Sequence, residues 1–226
     1  YFEKLIFFSY SVLTKKNKYY IAIKDNFSTD IIIDIGVHSG TPDLYNAFRE
    51  SHFVLVDPLE ENLIDKPVNY EFISAAVSDK KGKQDFFIFN EEGASSFFNH
   101  KDSQKQNLYK VKNKKVVNVI TLSCIFDGIS GNKLHDNKSI GLKIDVQGSE
   151  FDILRPIITF PENLQWIIVE NNILNRYNNF SNFSTVTSQL NSKGFRFLNL
   201  MQPSSFGVPA AYDALYISSE NPLFKQ

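Results

Sequence analysis

The chain has 226 residues, 42% hydrophobic and 22% charged, with 24 Lys and Arg against 25 Asp and Glu. That length suits a single domain over residues 1–226 that buries roughly 70–75% of its unfolded surface. The near-zero charge balance gives no electrostatic case for binding DNA, RNA or an anionic membrane. The only cysteine, Cys124, excludes an intrachain disulfide and a cysteine-based zinc site. The four histidines are scattered, without the i, i+4 spacing of a zincin. No metal is therefore expected, and the cysteine usage suggests a reducing, cytoplasmic location.

In chain order, residues 1–28 form an N-terminal lead, helical over residues 2–24. Its most apolar part, Leu5 to Leu13, is broken by Ser and Tyr. It is far short of the ~20 apolar residues that span a bilayer, and reads as a packed amphipathic helix. The chain begins at Tyr1 rather than Met, which leaves a trimmed leader open. Next come a strand Ile31–Ile35, a helix from Pro42 to about Glu50, a strand Phe53–Val56, a short helix near Glu60 and a strand Tyr70–Val77. Apolar strands alternating with helical patterns indicate βαβ units and a mostly parallel sheet.

The rhythm then changes. Residues 80–90 and 114–122 have strand composition, with a polar stretch between them, and predict an antiparallel β insertion or lid over about 80–122. The short cationic run Lys110–Lys115 within it reads as a solvated connection. Parallel order resumes with Ser139–Val146, a helix from about Ser149, and Leu164–Glu170. A helix near Ser184–Lys193 and two closing strands, Phe195–Leu200 and Ala211–Ser218, complete the domain. The fold class is thus α/β: a Rossmann-like, doubly wound, mostly parallel seven-stranded sheet, with an antiparallel final strand and a β insertion after the third strand.

Three strand ends carry acids. In "IIIDIGVHSGTPD", Asp34 closes a buried strand, Gly36 and Gly40 permit a tight turn around a ligand, and Thr41 and Pro42 start a helix whose amino end faces the loop. A pyrophosphate would lie badly beside Asp34. A ligand carrying both a carboxylate and positive charges, such as S-adenosylmethionine, fits better; a bare strand–helix turn is the alternative. In "FVLVDPLEEN", Asp57 stands twenty-one residues after Gly36, where an acid accepts both hydrogen bonds of a ribose diol; read alone it is a turn residue. In "LKIDVQGSEFDIL", Asp145 ends another strand, Gly148 permits a turn, Ser149 can cap the helix and Glu150 lies in its first turn. Asp145 there is either a cleft acid or a cap for the turn.

Together "DIGVHSG", "LVDPLEEN", "SAAVSDKKG", "GASS", "LKIDVQGSEFDIL" and "IIVE" resemble the FkbM-type S-adenosylmethionine-dependent methyltransferases, over roughly Ile31 to Glu170. The resemblance implies S-adenosyl-L-methionine as cofactor and O-methylation of a sugar, glycan or small natural product. It implies that Asp34, Gly36, His38 and Gly40 line the methionine end, that Asp57 holds the ribose, and that Ala76, Val77 and Ser78 lie near the adenine. Asp145 is the first candidate for the base, with Glu150, Glu170 and His38 as alternatives, and Ser95 and Ser96 of the lid as hydrogen-bond donors to the acceptor. The chain departs from the family pattern at His38, often Asn; at Gln147, where "KIDVEG" is usual; at Asp57, often Glu; and at Ser123, commonly Asp. A small-molecule or glycan acceptor, no nucleic acid and no membrane span are the expected partners. Two other readings stay open: a non-catalytic nucleoside-binding descendant, and an NAD-dependent oxidoreductase, against which Asp34 and the missing G-x-G-x-x-G loop argue.

Overall fold

A computed structural model describes residues 15–90, 95–97, 110–131, 137–172, 182–201 and 211–224. The expected helical lead before residue 15 and, within the lid, residues 91–94 and 98–109 lie outside them. In the order of the chain the elements are α1 (Lys15–Asn26), β1 (Ile31–Ile35), α2 (Pro42–Ala47), β2 (His52–Asp57), β3 (Tyr70–Ser74), β4 (Ala76–Val77), β5 (Gly82–Phe89), β6 (Val111–Ile120), α3 (Leu122–Ser130), β7 (Ile140–Ile144), α4 (Glu150–Leu154), β8 (Leu164–Asn172), α5 (Phe183–Asn191), β9 (Phe195–Leu200) and β10 (Ala211–Ser218). Single 3₁₀ turns at Glu60–Asn62 and Pro222–Phe224 complete the described elements.

Seven strands form one sheet in the order β3-β2-β1-β7-β8-β10-β9. All pairs are parallel except those made by β10, which runs antiparallel to both β8 and β9. The chain order reverses between β1 and β7, and the crevice at such a switch point is where open α/β sheets bind ligands. This is the Rossmann-like, doubly wound arrangement expected.

The central strands are apolar on both faces because helices cover both. Ile31, Ile33 and Ile35 join Val54, Val56, Leu142, Ile144, Val169 and the helices α3, α4 and α5 in one core. The alternating residues Ile32, Phe53, Leu55, Trp166 and Ile168 pack on the other face against Tyr20 and Ile23 of α1 and Leu44 and Tyr45 of α2. Period-two alternation sorts these residues, and it places Asp34 on the α1–α2 face.

The insertion is a separate three-stranded sheet, order β4-β6-β5. Its β5–β6 hairpin is the expected antiparallel pair, with β6 beginning at Val111 rather than 114. The single strand expected over Tyr70–Val77 is in fact two. Beyond Ser74 the chain leaves the main sheet, and β4 pairs in parallel with β6, because the insertion supplies hydrogen-bond partners that β2 no longer reaches. Helix α2 stops at Ala47 rather than near Glu50, with Phe48 already out of helical geometry and bonded back to Leu44. Helix α3 was not anticipated at all.

Candidate active site

The carboxyl ends of β1, β2 and β7, with β4 and the insertion, enclose a cavity of about 280 Å3. That lies just below the roughly 300–1,000 Å3 typical of small-molecule pockets. Gly36, His38 and Gly40 of the opening loop line it, as do Asp57, Ala76, Val77, Asp145 and Gln147. The glycines are needed for geometry. Gly36 has φ +81°, and a Cβ there would sit 1.7 Å from the carbonyl oxygen of Asp145. The β1 loop and the β7 loop can touch only through a residue without a side chain.

Asp57 is buried, and both its carboxylate oxygens are fixed by backbone: Oδ2 accepts from His38 N at 2.9 Å and Oδ1 from Leu59 N at 2.8 Å. Burial raises its pKa and these two bonds oppose the rise. Each oxygen keeps a second lone pair toward the cavity. His38 adopts φ 47°, and its buried Nε2 has no hydrogen-bond partner among the described residues; nor do Ser95 Oγ and the Tyr20 hydroxyl, also on the cavity wall. Such orphaned groups fit a polar ligand that would satisfy them. The apolar side chains of Leu59, Val77, Phe86 and Phe97 also line the cavity and suit a flat base.

Five expected site residues, Asp34, Ser78, Ser96, Glu150 and Glu170, do not line this cavity. Asp34 is fully buried behind it: Thr41 Oγ1 donates to its Oδ2 at 2.9 Å, the Tyr45 hydroxyl donates at 3.2 Å, and Lys143 Nζ lies 3.4 Å from Oδ1. Its register partner on β7 is Lys143, so the two side chains share one face of the sheet. The cavity meets the ammonium of Lys143 in place of the Asp34 carboxylate. Thr41 for the same reason does not cap α2 with its side chain. Ser78 turns its hydroxyl toward Asp79 at 3.5 Å, and Ala75 takes the cavity position before Ala76.

Glu150 is buried, and both its oxygens accept from Gly148 N, at 3.0 and 3.1 Å. It clamps the Gly148 turn, while Ser149 stands at the N-cap of α4 without the expected side-chain capping bond; burial raises the Glu150 pKa to about 7. Glu170 also stands off the cavity wall and reaches it through Gln147. Gln147 Nε2 donates to Asp145 Oδ1 at 3.0 Å and to Glu170 Oε2 at 2.7 Å. Lys143 Nζ adds a bond to Asp145 Oδ2 at 3.3 Å. Burial, then the neighbouring carboxylates of Asp145, Glu150 and Asp213, push Glu170 well above the ordinary carboxyl range.

Tyr20, Lys143, Gln147 and Phe97 were missed as cavity residues. Gln147 had stood out only as a departure from a family pattern. No motif marks Tyr20, because only the docking of α1 on the sheet brings it here. Among the described residues no cluster of His, Cys, Asp and Glu could hold a metal, and no helix is long and apolar enough to cross a membrane.

A doubly wound sheet with a ligand cavity at its switch point, a glycine loop on β1 and a backbone-fixed acid on β2 defines a nucleoside-binding α/β domain. The profile of the Methyltransferase FkbM domain matches residues 34–197. The chain belongs to that family, and it is an S-adenosylmethionine-dependent methyltransferase. No curated protein matches the sequence. Among solved structures the chain is similar to magnesium protoporphyrin IX methyltransferase from Synechocystis PCC 6803 with bound SAM, at TM-score 0.45 and 8% identity over 96% of this chain and 89% of that one. It is also similar to the 1,6-didemethyltoxoflavin-N1-methyltransferase of Burkholderia thailandensis, at TM-score 0.42 and 10% identity over 90% of this chain and 78% of that one.

Proposed function

We propose that the chain methylates a hydroxyl oxygen of a sugar, glycan or small natural product, with Asp145 as the general base. The observation that supports this reading is the Asp145 carboxylate at the cavity wall, held by Lys143 and Gln147. A sugar hydroxyl is a poor nucleophile and loses its proton during attack, so a carboxylate within hydrogen-bond reach assists it. When bound, S-adenosylmethionine supplies a methyl group on a sulfonium, and transfer is an in-line displacement governed by positioning.

The chain's own residues divide the remaining work. Asp57 holds the ribose diol, and the walls of Ala75, Ala76, Val77 and Phe86 sandwich the adenine. Gly36, His38 and Gly40 bring backbone close to the amino-acid end, where Lys143 offers the carboxylate a cation. Ser95 and Phe97 close the cavity from the insertion side and exclude water.

The test is calorimetric titration with S-adenosylmethionine, with NAD(H) as control, followed by mass spectrometry of hydroxyl, amine and carboxylic-acid acceptors. S-adenosylmethionine should bind and NAD(H) should not. Asp57→Ala should weaken binding by at least roughly 100-fold, since two hydrogen bonds to a charged acceptor are worth about 3 kcal/mol or more. Methylation confined to amines or acids would overturn the hydroxyl reading, and tight NAD(H) binding would favour an oxidoreductase.

A further inference from the structure

Two acids meet at the ends of β7 and β8, close enough to share a hydrogen bond, and one neutral side chain bridges them as well. Only the NH2 end of Gln147 can face two carboxyls at once, since the amide has two N–H donors there and its oxygen would be repelled. Both donors are used, toward Asp145 and Glu170. The residue is held unusually for this purpose. Gln147 has φ 58°, a left-handed conformation costly for a residue with a side chain. Its carbonyl oxygen accepts a 2.9 Å bond from Ser96 Oγ, and Ser96 is fully buried. Ser96 is itself bridged to β5, exchanging backbone hydrogen bonds with Phe87 at 2.9 and 3.1 Å. The insertion thus fixes the loop that carries Gln147. Ser96 was expected to donate to the acceptor; its hydroxyl is used here instead.

We propose that Gln147 is the positioning residue for Asp145: a neutral double donor, locked by Ser96, that ties Asp145 to Glu170 without needing another proton. The groups facing Glu170 are Asp145 just beyond β7, Glu150 on α4, and Asp213, its register partner on β10. In that company a carboxyl at position 147 could bridge the pair only while protonated. Glutamine keeps the bridging side chain itself from titrating. The inference rests on the proposed reading only for its catalytic consequence, because the joint exists in the protein without cofactor or acceptor.

The experiment compares wild type, Gln147→Glu and the double variant Gln147→Glu/Glu170→Gln by thermal unfolding without cofactor, between pH 5 and pH 8. A carboxyl at 147 would have its folded pKa raised, so the variant is matched to wild type at low pH and loses ground as pH rises. The expected gap in Tm is under about 2 °C at pH 5 and roughly 4–8 °C at pH 8. The double variant restores one amide among the acids and should close at least half of the gap at pH 8. If Gln147→Glu unfolds completely at pH 8, it is prepared at pH 5.5 and titrated upward; unfolding with rising pH is then the expected result. A gap equal at both pH values, or one the double variant leaves untouched, overturns the proposal and makes Gln147 a space-filling residue. Failure of hydroxyl methylation shows separately, in the acceptor screen with wild-type protein.

Discussion

The two ends of the cavity solve the same problem, a carboxylate held beside a ligand, by different means. At the β2 end, Asp57 is fixed by backbone N–H groups of His38 and Leu59. Those donors come with the turn itself, and no second titratable side chain holds the acid. At the β7–β8 end, Asp145 is held by Lys143 and Gln147, with Glu150 and Glu170 close enough to affect one another's protonation. The first end is set by chain geometry. The second is set by side chains, so substitution and pH can both tune it.

The comparison breaks most completely where the two ends meet. Gly36→Ala would drive a Cβ into the Asp145 carbonyl at a positive φ, and should cost at least about 4 kcal/mol, read as loss of soluble protein or of cooperative unfolding. Next in size is Asp145→Asn. As the proposed base it should lower kcat by roughly 10²–10⁴ while S-adenosylhomocysteine affinity changes much less, which kinetics and calorimetry together would show. A loss of affinity equal to the loss of rate would move Asp145 to the cofactor.

Glu150→Gln sharpens the contrast in the opposite direction. Burial raises Glu150 from 4.5 to about 7, so the protonated form stabilises the fold. That stability is full below the unfolded pKa and is lost as pH rises through about 7. Glutamine stays neutral and still accepts from Gly148, so the variant should match wild type near pH 5 and exceed it by about 2–3 kcal/mol above pH 7.5. An offset that does not vary with pH would show that Glu150 does not titrate in this range. The smallest effect belongs outside both ends. Lys115 and Glu61 pair at 2.8 Å across exposed surface, and Lys115→Ala should change stability by less than about 0.5 kcal/mol and leave cofactor binding alone.

What the sequence shows of this molecule follows from local rules. The apolar run ending in Asp34, the glycines, Asp57 at the end of β2 and the turn after Asp145 revealed the sheet, its switch point and most of the loop residues that line the cavity. Helix α3 was missed, although Leu122, Ile125, Phe126 and Ile129 recur at helical spacing and are all buried. Ser123, Gly128 and Ser130 obscured the signal, being weak helix formers.

The sequence by itself determined the order and kind of most elements, because period, glycine and turn chemistry act over a few residues. It also placed an acid at each of three strand ends. Only the tertiary structure decided which of those acids a ligand meets. Asp34 lost that place because register sets it opposite Lys143 on the face covered by α2. Glu150 lost it by turning back onto Gly148. Gln147 gained its role because β8 brings Glu170 within 2.7 Å of an amide twenty-three residues earlier in the chain. Such pairings depend on strand register and burial, which long-range packing alone sets.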